Sequence, residues 1–120
     1  MTKADLPALR LLAANNQISY TSHAVDQMFE RGIMRSDVVN ILSSPTNQLI
    51  EVQSRSTAKG KEHKDERALV SDPEYQDRII IVLVIIFNPI PEIRIITVEH
   101  VQDKEWSTHI GDDPWLIRKK

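Results

Sequence analysis

Apolar residues recur at helical spacing through the first third of the chain and in unbroken or alternating runs through the second half, so the pattern predicts helices first and a sheet after them. Leu6, Leu9, Leu12 and Ala13 mark a short leading helix over 4–15, with Asp5 as its cap and Pro7 tolerated in the first turn. Asn15, Asn16 and Gln17 break that period, and residues 18–20 read as a brief extended lead-in. Residues 20–33 then carry the clearest signal in the chain. At about 100° per residue, Ala24, Val25, Met28 and Phe29 fall on one side and His23, Gln27, Glu30 and Arg31 on the other, which predicts an amphipathic helix with one apolar face and one polar stripe. Thr21 or Ser22 can cap its start, Gly32 sits where a left-handed residue would end it, and Ile33 is placed to fold back onto the last turn. A third helix follows at once, with Ser36 as the expected cap, Asp37 suited to the positive helix end, and Val38, Val39, Ile41 and Leu42 on its apolar side, before Ser44 and Pro45 stop it. Two short helices joined by a tight turn read as a helical hairpin that needs a sheet to bury both apolar faces.

The second half supplies candidate strands over 49–52, 67–70, 79–87 and 93–98. The run 79–87 is apolar throughout and mostly β-branched, as expected of a strand covered on both faces, and 93–98 is its expected antiparallel partner at the sheet centre. At nine residues that run falls short of the roughly 20 helical residues that span a bilayer. Residues 54–66 are polar and without apolar period, which predicts an exposed loop. The resulting expectation is an α+β fold with N-terminal helices, including the hairpin, on one face of a three- or four-stranded antiparallel sheet. Helices on one face leave the other face of 79–87 bare, so the pattern requires that the C-terminal extension 103–120, with Trp106 and Trp115, or a second protomer covers it.

Length and charge narrow the partners. The chain has 120 residues, enough for one domain with a core over 18–100. Fifteen Lys and Arg against seventeen Asp and Glu give a net charge of -2, so no global attraction to nucleic acid or to a membrane is built in. No cysteine is present, which excludes disulfides and thiolate metal sites. The amino terminus carries charges and Pro7 where a secretory signal needs an unbroken apolar segment, so a cytoplasmic protein is the expectation.

Candidate chemistry rests on histidines. His23, His63, His100 and His109 have no metal-site spacing among them, and with three glycines the chain has no phosphate-cradling loop, so neither a metal nor a nucleotide cofactor is expected. His23 and Arg31 lie about 80° apart around the predicted helix and about 12 Å apart along it, and can flank an extended substrate but not a single atom. The plainer alternative has His23 beside the cap as a polar packing residue and Arg31 paired with Glu30 or a strand carboxylate. Arg55, Lys59, Lys61 and Lys64 in the loop, or Arg118, Lys119 and Lys120 at the end, are candidate RNA-binding cations or simply solvated charge.

The stretch 22–33 (Ser-His-Ala-Val-Asp-Gln-Met-Phe-Glu-Arg-Gly-Ile), followed by 35–42 and Pro45, resembles the opening signature of the bacterial family called domain of unknown function 4258, and 95–98 (Ile-Ile-Thr-Val) resembles its closing strand. That resemblance implies kinship with the RelE-like, barnase/colicin-like toxin fold, whose members include metal-independent ribonucleases. It further implies that His23 transfers a proton and that Arg31 binds phosphate; His100, just after the last expected strand, is by its position either a second proton carrier or a strand-end polar group. The expected function is metal-independent endoribonuclease action of toxin–antitoxin type. The partners expected are RNA and a protein, the latter antitoxin-like or a second copy. The alternative is a non-enzymatic interaction module of the same fold that binds through its exposed sheet face and tryptophans.

Overall fold

A computed structural model describes residues 1–54, 66–87 and 89–119. A 3-10 turn at Lys3–Asp5 leads into α1 (Leu6–Ala14), β1 (Ile18–Tyr20), α2 (Ser22–Arg31), α3 (Arg35–Ser43), β2 (Gln48–Gln53), β3 (Arg67–Ser71), β4 (Ile79–Ile86), β5 (Glu92–His100), β6 (Trp106–Thr108) and β7 (Leu116–Arg118). β1 to β5 form one sheet in the order β1-β5-β4-β3-β2, and β6 pairs with β7 in a separate antiparallel ribbon. The apolar run therefore lies at the sheet centre with its expected antiparallel partner beside it.

Alternation along the strands feeds two cores. Ala68, Val70, Ile79, Ile81, Leu83, Ile93, Ile95 and Val98 face the helices, where they pack with Leu9, Ala13, Ala24, Met28, Val38, Ile41 and Leu42. Ile50, Leu69, Ile80 and Val82 face the other way and are covered by Trp106, Trp115 and Leu116. The C-terminal segment thus covers the second face, and both tryptophans are 2% exposed, which removes them as a surface for partners. The bare sheet face on which the interaction alternative relied is closed by this ribbon.

Three expectations about the architecture are corrected. The sheet has five strands and is mixed, because the extended lead-in at Ile18–Tyr20 joins it as an edge strand parallel to β5. α2 and α3 do not form a packed hairpin: α3 lies against α1, while α2 lies against β5. Asn47 explains much of the first pairing. Buried at the end of α3, it donates to the Ile41 and Leu42 carbonyls, each at 2.9 Å, while accepting from the Arg10 guanidinium of α1. The cap of α3 is Met34 rather than Ser36, because the Asp37 carboxylate accepts the Met34 amide at 2.7 Å and draws the helix start two residues earlier.

The start and end of α2 follow the sequence pattern. Thr21 Oγ1 accepts the Ala24 amide at 3.1 Å, and Gly32 adopts φ +67°, which lets the Ile33 amide reach the Met28 carbonyl at 2.9 Å and seats Ile33 in the core. Its rotation does not. Beyond β1, the outer edge of β5 has no strand neighbour among the described residues, and α2 supplies the missing partners: the Val98 amide donates to Gln27 Oε1 at 3.1 Å, and the Arg31 guanidinium donates to the Val98 carbonyl at 2.7 Å. Holding Gln27 and Arg31 against the strand turns Val25 and Phe29 outward, so the expected apolar face is split and Phe29 is 90% exposed. Replacing Gln27 with Ala leaves the Val98 amide unpaired, and is expected to lower the unfolding free energy by about 1–2 kcal/mol in urea titration.

Candidate functional site

The strand edge that α2 covers ends in an open depression of about 310 Å³, lined by Arg31, Glu99, His100, Gln102, Lys104 and Glu105. Three elements place these groups. The last turn of α2 delivers Arg31, the end of β5 delivers Glu99 and His100, and the turn over 102–105 closes the rim, held by the Glu105 and Trp106 amides donating to the Gln102 carbonyl. His100 Nε2 lies 3.1 Å from the Arg31 carbonyl, so the imidazole bridges strand and helix end. Arg31 spends one donor on the Val98 carbonyl, and the remaining donors of its fork have no hydrogen-bond partner among the described residues.

The remaining charges of the depression differ. Lys104 belongs to no ion pair among the described residues, whereas Glu99 is partly buried and electrostatically loaded. Burial first, and then the neighbouring Glu105, push the Glu99 carboxyl above its usual range, while Arg31 and Arg118 pull it back. Arg118 itself is held by Glu51, at 2.9 Å, and lies over the Trp106 ring at 4.4 Å from its centre, which fixes it as a wall behind Glu99. A carboxyl raised in the fold favours its protonated form, so the stability linked to Glu99 is fully present below its ordinary value of about 4.5 and is lost as pH rises through the folded value. Glu99→Gln, which cannot ionise, is therefore expected to unfold like the wild type at pH 4 and to be more stable than it at pH 8, as read by denaturant titration at both pH values.

Of the residues singled out by sequence, Arg31 and His100 meet in this depression. His23 does not line it: it is exposed on the first turn of α2, eight residues and about 12 Å along the helix from Arg31, and its side chain makes no hydrogen bond among the described residues. Arg31 is neither a free surface cation nor paired with Glu30; its partner is a backbone carbonyl. Arg55, Lys59, Lys61 and Lys64 lie outside the described residues, as does Lys120. Glu99, Lys104 and Glu105 escaped the sequence reading. The available signal was local: Glu99 directly precedes His100 at a strand end, and strand alternation places it opposite Val98, away from the helices. Among the described residues, no three His, Asp or Glu side chains gather as a metal site, and no helix is long and apolar enough to cross a membrane.

The fold and this site define a small α+β domain with a mixed five-stranded sheet and a mixed-charge depression at the open end of its second strand from the edge. The chain belongs to the family described as a domain of unknown function (DUF4258), whose profile matches residues 20–100. That span holds His23, Arg31, Glu99 and His100, while α1 and the tryptophan ribbon flank it. No curated protein and no solved structure matches the chain.

Proposed function

We propose that this chain is a RelE-like domain acting as a metal-independent endoribonuclease, with its site in the depression at the end of β5. The observation that carries the reading is the meeting of a guanidinium, an imidazole and a carboxyl pushed above its usual range in one open depression. Each group has a task in cleavage of an RNA phosphodiester. The Glu99 carboxylate takes the proton of a ribose 2′-hydroxyl, the freed oxygen attacks phosphorus, and the His100 imidazolium gives its proton to the departing 5′-oxygen. The products are a 2′,3′-cyclic phosphate and a 5′-hydroxyl. The spare donors of Arg31 face the non-bridging oxygens, whose charge grows as the fifth bond forms. His23, a further 12 Å or so along the helix, contacts an adjoining nucleotide rather than the reacting phosphate. With a net charge of -2, the attraction for RNA is local, through Arg31 and Lys104.

RNA incubated with the purified chain in EDTA tests this. Cleavage leaving cyclic phosphate ends is expected for the wild type, with loss in His100→Ala and Glu99→Gln and a smaller reduction in His23→Ala. RNA left intact by the wild type would overturn the enzymatic reading. The second reading, an interaction module, is favoured by a different observation, the exposed apolar face of α2.

A further inference from the structure

Val25, Phe29 and Met34 are 39%, 90% and 65% exposed and lie side by side at the C-terminal end of α2. Between the Phe29 ring and the Gly32 turn runs an open groove of about 290 Å³, floored by Met28 and Ile33 and edged by Met34 and Arg35. A cavity of about 150 Å³ already accommodates a benzene ring, so the groove has room for one aromatic side chain. A protruding ring and a ring-sized apolar groove next to each other on one surface are the two halves of a self-complementary contact.

We infer that this face of α2 joins two copies of the chain about a two-fold axis, each Phe29 entering the other copy's groove beside Gly32. Charge supports this occupant over another. Inserting Phe29 at the Gly32 turn places the axis between them and runs the two α2 helices antiparallel, which carries the second copy's Asp26, three residues before its Phe29, to the Arg35 rim. Asp26, Glu30 and Arg35 have no ion-pair partner within the chain among the described residues; Arg35 only covers the Tyr20 ring, 4.7 Å from its centre. The pairing therefore satisfies two carboxylate–guanidinium contacts by symmetry. The three side chains offer on the order of a few hundred Å² of apolar surface per copy, below the roughly 800 Å² of a standard interface, so the dimer is weak and concentration-dependent. Arg31 lies about 160° around the helix from Phe29, which leaves the β5 depression open in the dimer. The inference is independent of the proposed activity.

Sedimentation velocity over a concentration series tests it. The wild type is expected to dimerise in the micromolar range, Phe29→Asp to weaken dimerisation at least tenfold with unchanged circular dichroism, and Phe87→Asp, at an exposed aromatic outside this groove, to leave it intact. Asp26→Arg and Arg35→Asp are each expected to weaken the dimer, and the double exchange to restore it. A wild type that stays monomeric, a Phe29→Asp variant that still dimerises, or a double exchange no better than its parents would overturn the inference. RNA cleavage read on Phe29→Asp separates the two proposals, because it is expected to be retained.

Discussion

Trp115→Ala is expected to lower the unfolding free energy by about 3–5 kcal/mol, enough to unfold a sizeable fraction of a marginally stable chain at 37 °C. Trp115 sits on Leu69, Ile80 and Val82 as part of the layer that seals the sheet face away from the helices. Its loss opens a cavity between sheet and ribbon. The same residue fixes the ribbon by its backbone: the Trp115 amide donates to Gln48 Oε1 at 2.8 Å and the His109 amide donates to the Trp115 carbonyl at 2.7 Å. Urea unfolding followed by circular dichroism at 222 nm measures the loss. A cost under about 1 kcal/mol would mean that the C-terminal segment only decorates the domain, and that the second face of the sheet is buried in some other way.

His100→Ala is expected to slow RNA cleavage by about 10²–10⁴-fold, the span removed when a positioned proton donor is lost. The fold is expected to tolerate the change. His100 is exposed at the end of β5, and the one hydrogen bond of its side chain among the described residues goes to the Arg31 carbonyl at the end of α2. An unchanged unfolding curve beside a large kinetic loss would separate a chemical role from a structural one. Glu99→Gln gives a companion signature in pH. In the proposed reaction Glu99 acts ionised, and because its carboxyl is raised by burial and by Glu105, the rate is expected to climb with pH through a limb that lies above the ordinary carboxylate range. That limb is expected to disappear in the Gln variant, while stability at pH 8 rises. Loss of activity with a gain of stability is the mark of a group held in an unfavourable charge state for function.

The strands and the ends of α2 were legible because they depend on local rules. The β-branched run at Ile79–Ile86 matched a doubly covered strand, and Gly32 followed by Ile33 matched a left-handed stop with an apolar return. The rotation of α2 was not legible from its own residues. Periodicity weighed Val25 and Phe29 as core and Gln27 and Arg31 as solvent face, but the open edge of β5, some seventy residues later, needs a donor and an acceptor for Val98. Satisfying that backbone outweighs burial of one more aromatic ring, and the helix turns accordingly. The parallel β1 was similarly hidden, since a three-residue strand carries no period and its partner lies at Ile93–Ile95. The candidate site was half legible. Arg31 and His100 were singled out from a resemblance and from their positions in the elements, and they meet. Glu99 went unnoticed because its environment is assembled from Arg31, Glu105 and Arg118, which are scattered along the chain.

Titration of 15N-labelled chain with an uncleavable RNA whose 2′-hydroxyls are methylated, followed residue by residue in NMR spectra, tests the central claim most directly. Shifts confined to the end of α2, to Glu99 and His100, and to the 102–105 turn, with smaller changes near His23, are the predicted result. No shift at millimolar RNA, or shifts clustered elsewhere with the β5 depression silent, would contradict it.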